Sequence, residues 1–294
     1  MIKTTIPQEE VLKSGHLACP GCGASIAMRY ALKALGKNTS LDIPACCWSV
    51  IDGPFPHSAV GVPLFHTAFE TAASTASGIR AAYDVLGKKD VNVVAWAGDG
   101  GTYDIGIQAL SAAAERNDNI LYVCYDNEAY MNTGIQRSSA TPWGAWTTTT
   151  PVKHPKDRPK KDLVAIFAAH RIPYIATATV AFPEDFVKKF QKAKEIKGTK
   201  FILIHSPCPP GWKTRPEDTI KLSRLAVRTR IFPLLEVEKG IHWKLTMNVK
   251  KPVPVIEYLK LQGRFRHLTE EDVKFIQENV DWEWELLMKK LENK

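Results

Sequence analysis

The sequence predicts an α/β fold: a parallel sheet with helices on both faces, followed by a C-terminal extension. Between residues 91 and 205, short apolar runs of strand length alternate with segments of helical period. The runs are apolar throughout, as in strands covered on both faces. The loops after two of them carry Gly, Asp and Asn, at the strand ends where open α/β sheets bind their ligands.

A chain of 294 residues, 45% hydrophobic, can bury one large core with an appendage. Residues 25–35 (SIAMRYALKAL) place apolar side chains at helical spacing, directly after a loop rich in Cys and Gly. Residues 69–86 read as a second helix, crowded with alanines for close packing, and His66 lies on a helix-like stretch just before it. Residues 91–97 (VNVVAWA) read as a buried strand, 105–116 as a helix and 120–125 (ILYVCY) as a strand. This is a βαβ unit, whose right-handed crossover brings both strand ends to one edge of the sheet. Helix 163–170, strand 174–180, helix 183–196 and a final strand 201–205 (FILIH) follow. The pattern changes after about residue 214, so 1–213 is expected to form the α/β domain and 214–294 an extension packed on the core or on a partner. In that tail, Trp282 and Trp284 read as packing residues.

The net charge of +8 is dispersed. The densest basic run, residues 153–161 (KHPKDRPKK), is broken by prolines and an aspartate and reads as a solvated loop. It has no interleaved aromatics for stacking on bases, which argues against nucleic acid as a partner. A basic face would suit docking of an acidic redox partner. No apolar stretch approaches the roughly 20 residues of a membrane span, and the first residues lack the apolar centre of a signal peptide. No membrane association and a cytoplasmic location are therefore expected.

The most informative local feature is Gly98-Asp99-Gly100-Gly101, which closes the strand at 91–97. Glycines there let backbone N–H groups approach a phosphate, and a following helix N-terminus favours the anion. Asp99 offers a carboxylate to a divalent cation, and magnesium usually takes one or two such groups plus substrate phosphates. The next strand ends in DNEAYMNT, residues 126–133, where Asn127 and the Ala129 carbonyl can share the same ion. Taken alone, GDGG is an ordinary turn. Paired with an Asn-containing loop 28 residues on, it resembles the diphosphate-and-magnesium motif of thiamine-diphosphate enzymes.

Six cysteines stand at 19, 22, 46, 47, 124 and 208, and their spacing points to metal or catalysis rather than to a disulfide framework. Cys19-Pro20-Gly21-Cys22 is a CxxC turn, with Cys46 or Cys47 and Cys208 available as further ligands. Cys124 sits inside an apolar strand and reads as a small core residue. On spacing alone, four thiolates suit zinc and a [4Fe–4S] cluster equally.

Together the segments GHLACPGCGASIAMRYALKALG, GVPLFHTAFETAASTASGI, GDGGTYDIGIQALSAAAERNDNILYVCYDNEAYMNTGIQRSSATPWGAWTTTTP, SPCPPGWKT and EYLKLQGRFRHLT resemble the beta subunits of pyruvate:ferredoxin oxidoreductases over most of the chain. The resemblance implies a thiamine-diphosphate-binding fold and CoA-dependent oxidative decarboxylation of pyruvate to acetyl-CoA and CO2, with electrons passing through the cluster to ferredoxin. It assigns Cys19, Cys22, Cys47 and Cys208 to the [4Fe–4S] cluster, and Asp99, Asn127 and Ala129 to Mg2+. It places Gly98, Gly100, Gly101, Met131 and Asn132 on the diphosphate, and Ala45, Cys46, Cys47, Trp48 and His66 on the thiazolium side. Asn132, Cys47 and His66 stand nearest the chemistry. In the family the third cluster ligand is the cysteine of a Thr-Gly-Cys motif, whereas this chain reads Ala45-Cys46-Cys47, with Cys46 at the glycine position. Only one GDG-type domain is present and no CxxCxxCxxxCP repeat. The resemblance therefore implies an alpha subunit supplying the pyrimidine-binding half, a gamma subunit and a ferredoxin-like delta subunit. Ferredoxin, coenzyme A and the 2-oxoacid complete the expected partners.

Overall fold

Every central strand is apolar on both faces and must be covered twice, which sets the architecture. The structure, a computed structural model, describes residues 5–292. The CxxC turn leads into helix α1 (Gly23–Leu35), strand β1 (Thr39–Pro44), the one-turn helix α2 (Trp48–Ile51) and strand β2 (Leu64–Thr67). Helix α3 (Ala72–Val85), β3 (Asn92–Gly98), a π-helical turn (Gly100–Ile105), α4 (Ile107–Arg116) and β4 (Leu121–Asp126) come next. A long loop then reaches α5 (Leu163–Ala169), β5 (Tyr174–Thr179), α6 (Pro183–Glu195) and β6 (Lys200–His205). The one-turn helix α7 (Pro209–Trp212) closes this part, and the extension holds α8 (Thr219–Arg228), β7 (Leu235–Glu238), β8 (His242–Leu245), α9 (Ile256–Leu259) and α10 (Glu270–Glu292).

The strands form one eight-stranded sheet in the order β2-β1-β3-β4-β6-β5-β7-β8. The first six are parallel, and β7 and β8 add antiparallel to β5. Side chains alternate across the sheet, so Val94 and Trp96 enter the core beneath α1 and α6, while Ala95 and Ala97 enter the core beneath α3 and α4. Alanines at 73, 76 and 113 let that second layer approach closely. Between β1 and β3 the winding reverses, so the loops after these two strands part and leave a crevice.

Three expectations are corrected. The strand at 201–205 is not the last, because residues 235–245 fold back as a hairpin onto β5 and make the extension part of the sheet. His66 lies on β2, not on a helix, and the helix after it begins at Ala72. The apolar run from Leu64 is paired with β1, and that pairing overrides the helical spacing of the aromatic residues. The basic run at 153–161 is not simply solvated: Lys156 is buried against the carbonyls of Thr141 and Pro159, and Lys160 and Lys161 turn toward the sheet end. In the tail, Trp284 is buried beneath the Arg230 guanidinium, whereas Trp282 is exposed. Among the described residues no helix is long and apolar enough to cross a membrane.

At the end of β6, His205 is enclosed by Trp212, Phe232 and Tyr258, with its Nε2 3.0 Å from the Tyr258 hydroxyl. Burial disfavours the imidazolium and lowers its pKa to about 3. The neutral ring is thus favoured in the fold, and its contribution is complete above the unfolded-state value of about 6.5. As pH falls below that value the unfolded chain binds a proton that the fold refuses. Unfolding free energy is expected to fall by up to ~1.4 kcal/mol per pH unit from this group. Urea titrations at pH 7.5, 6 and 5 should show a slope that is one proton shallower in His205→Gln; an unchanged slope would refute the assignment.

Candidate active site

The crevice is built from three loops at the carboxyl ends of β1, β3 and β4. After β3 the chain enters the π-helical turn, fastened where the Thr102 hydroxyl donates to the Gly98 carbonyl at 2.7 Å. Gly100 cannot be replaced without movement, because a Cβ there would lie 2.1 Å from the Tyr130 ring. The Tyr130 hydroxyl in turn donates to Asp104 at 2.7 Å, so the loop after β4 clasps the turn after β3.

Asp99 is buried at the head of this turn, and one carboxylate oxygen accepts from the Ser138 hydroxyl at 2.5 Å. The other faces the Asn127 carboxamide. One terminal atom of that amide lies 2.8 Å from Asp99 Oδ1 and 3.0 Å from the Ala129 carbonyl oxygen. Which atom it is follows from the surroundings and not from the heavy-atom positions. As nitrogen, it donates to both oxygens. As oxygen, it completes a set of three oxygens with no donor among them, the donor chemistry of a hard divalent cation. Burial, with the Asp126 carboxylate nearby, pushes the Asp99 carboxyl well above its usual range. A cation would relieve that cost, so the residues fit Mg2+.

The Ala129 carbonyl is aimed by an unusual backbone. Glu128 has φ +70°, in the left-handed region that non-glycine residues rarely occupy. Its carboxylate, 3% exposed, is gripped by Arg264 at 2.5 Å and Lys160 at 3.1 Å, and Lys160 also reaches Asp126 at 2.5 Å. Burial alone would raise the Glu128 carboxyl, but the two cations overcome it and hold it at about 2. The Arg264 guanidinium lies 4.0 Å over the Trp212 ring, and Trp212 Nε1 donates to the Asn127 carbonyl at 2.8 Å. The loop is therefore held by residues from the basic run and from the extension.

The cysteines divide by position. The CxxC turn docks on the segment before Cys208: Gly23 N–H donates to the Pro207 carbonyl at 3.1 Å, and the Thr219 hydroxyl to Gly21 at 2.5 Å. Gly21, at φ +70°, fits there because a Cβ would lie 2.3 Å from the Pro216 carbonyl. Burial pushes the Cys208 thiol up to about 12, with the Cys22 and Cys19 thiols adding to it. Burial also raises Cys47, with further contributions from the thiols of Cys46, Cys208 and Cys22. Cys22 and Cys208 thus lie near Cys47, and Cys19 lies near Cys22 and Cys208. Cys46 turns instead toward the Tyr125 hydroxyl and Gly98, while Cys124 is buried in β4. Among the described residues no three Cys, His, Asp or Glu side chains close on one metal ion. Four thiols are the donor number that a [4Fe–4S] cluster takes.

A cleft of about 210 Å³ is lined by Ala45, Cys46, Cys47, Gly98, Asp99, Gly100, Gly101, Asn127, Ala129, Met131 and Asn132, which brings most of the expected cofactor residues to one place. Trp48 and His66 do not line it. Trp48 is buried in the core, and the half-exposed His66 is held by the Asp52 carboxylate at 3.1 Å on the edge strand. Sequence reasoning missed Tyr125, Ser138, Lys160 and Arg264. Only Tyr125 and Ser138 carried a visible signal, as polar groups inside or beside the matched strand and loop.

Residues 51–205 match the family described as thiamine pyrophosphate enzyme, C-terminal TPP binding domain. The chain is 54% identical to the ketoisovalerate oxidoreductase subunit VorB of Pyrococcus furiosus, covering 98% of this chain and 95% of that one. It is also 54% identical to the pyruvate synthase subunit PorB of Methanothermobacter thermautotrophicus, covering 94% and 96%. PorB of Methanocaldococcus jannaschii is 52% identical over 98% and 99%. A 2-oxoglutarate:ferredoxin oxidoreductase from Magnetococcus marinus shares the fold, with TM-score 0.60 at 22% identity over 76% of this chain and 81% of that one.

Removing Arg264 leaves Glu128 buried with half its compensation. Arg264→Ala is expected to lower unfolding free energy by roughly 3 kcal/mol or more, as measured by urea denaturation; a loss below about 1 kcal/mol would contradict the network. Gly100→Ala should cost about 1–3 kcal/mol through its clash with Tyr130 and should abolish Mg2+-dependent thiamine diphosphate binding in calorimetry.

Proposed function

The chain belongs to the thiamine-pyrophosphate-binding subunits of the 2-oxoacid:ferredoxin oxidoreductases, and on that premise we propose that it is the beta subunit of a pyruvate synthase. The observation that carries the reading is one of adjacency. Three oxygens suited to a divalent cation and one of the four thiols meet at Asn127, whose carboxamide reaches Asp99 and Ala129 on one side and Cys47 Sγ, at 3.9 Å, on the other.

Asp99, Asn127 and the Ala129 carbonyl hold Mg2+ in this reading, and Cys19, Cys22, Cys47 and Cys208 hold a [4Fe–4S] cluster. Bound thiamine diphosphate supplies the electron sink for decarboxylating a 2-oxoacid, and the cluster accepts electrons singly. The work of the chain is to bind and enclose. Gly100 and Gly101 let the diphosphate approach the backbone, Phe69 and Tyr130 exclude water from one wall, and Met131 and Asn132 form the rim. Met131 also touches the cluster loop, since a Cβ at Gly211 would meet its Sδ at 2.1 Å and Cys208 Sγ at 3.3 Å.

Partner subunits complete the site. Phe55 is 97% exposed, and Leu17, Val50 and Phe65 are also exposed beside the 46–52 segment. We assign this apolar margin to the alpha subunit, which brings the pyrimidine-binding half. Gamma and ferredoxin-like delta subunits carry electrons onward to ferredoxin, in the cytoplasm.

A branched-chain 2-oxoacid is the second reading, favoured by the equal identity to the Pyrococcus ketoisovalerate subunit. Anaerobic purification of the complete complex, followed by viologen reduction with coenzyme A and a panel of 2-oxoacids, separates the two. Pyruvate is expected to be fastest, and a faster branched-chain acid would overturn the assignment. In the same complex Cys47→Ser should lose cluster iron and Cys46→Ser should keep it.

A further inference from the structure

We infer that the Asn127 carboxamide couples the cation site to the cluster ligand Cys47, so that occupancy of each is felt by the other. The inference rests on the Mg2+ and [4Fe–4S] assignments above and adds a role for a single side chain between them.

The geometry allows two orientations of the amide and gives each a meaning. One terminal atom faces Asp99 Oδ1 at 2.8 Å and the Ala129 carbonyl at 3.0 Å; the other faces Cys47 Sγ at 3.9 Å. Without a cation, the NH2 group belongs beside the two oxygens, where it donates to both. The amide oxygen then faces Cys47, where a thiol S–H can donate to it. With a cation between the oxygens an NH2 there would be repelled, so the amide turns by half a revolution. Its oxygen joins the cation, and the NH2 group is delivered to Cys47 Sγ.

That second orientation suits a cluster thiolate, which accepts hydrogen bonds and donates none. A hydrogen bond to a cluster sulfur stabilises the more negative, reduced state and raises the reduction potential. Coupling between two sites is reciprocal in binding free energy. A cluster thiolate at Cys47 therefore favours the amide orientation that offers oxygen to the cation. The backbone of Asn127 is fixed by Trp212 at its carbonyl, so the amide responds by turning in place. Asn127 is accordingly a positioning residue for Cys47 as well as a cation ligand.

The test uses the anaerobic complex with its cluster in place, titrated by electron paramagnetic resonance with and without Mg2+ and thiamine diphosphate. The cluster midpoint is expected to rise on their addition. Asn127→Asp keeps an oxygen for the cation but has no N–H, so any shift that persists in it is due to charge alone and should be smaller. As a second measurement, 15N-asparagine labelling should give a nitrogen hyperfine coupling to the reduced cluster that appears with Mg2+ and thiamine diphosphate and is missing in Asn127→Asp. Equal shifts in both proteins, or a coupling indifferent to Mg2+, would overturn the inference. Absence of iron or of thiamine diphosphate binding in the wild-type complex would instead overturn the reading on which it rests.

Discussion

Much of the site depends on one buried carboxylate. Glu128 sits at the end of β4 in a backbone conformation that costs energy for any residue with a Cβ, and its charge is tolerable only because Arg264 and Lys160 surround it. These two cations come from distant stretches, one from the extension and one from the basic loop. An ion pair so deeply buried adds little net stability over an apolar substitute, but it specifies geometry because either partner alone is costly. Here the specified geometry is the direction of the Ala129 carbonyl and the seat of Asn127. The extension is therefore part of the site's foundation, though it contributes no group to the cleft.

The central strands and their crossover were legible because the apolar runs at 92–98 and 121–126 leave few alternatives and are bounded by glycine and asparagine. The paired loops after them were legible for the same reason, since a short motif becomes specific once its partner stands at the other end of a βαβ unit. What escaped was tertiary. Nothing in residues 153–161 announces that three lysines turn inward, because the carboxylates and carbonyls that receive them lie elsewhere in the chain. β7 and β8 are four residues each, too short for periodicity to mark, and form only because β5 offers an open edge. The aromatic spacing around His66 imitates a helix, but pairing of β2 with β1 decides the outcome.

The site is open where its own chain ends its contribution. Among the described residues, Phe69, Tyr130 and the glycines form one wall, whereas exposed aromatic and aliphatic groups gather beside the 46–52 segment. Apolar groups in contact with water cost the folded chain, and a subunit interface is the usual way that cost is offset.

Cys46 and Cys47 are consecutive residues that both line the cleft, and Cys47 also meets the Asn127 carboxamide. Consecutive Cα atoms are held about 3.8 Å apart by a trans peptide. The peptide between them therefore ties the floor of the cleft to the loop that carries the Cys47 thiol. Breathing of the sheet, or rearrangement at a subunit boundary, would move the two side chains together.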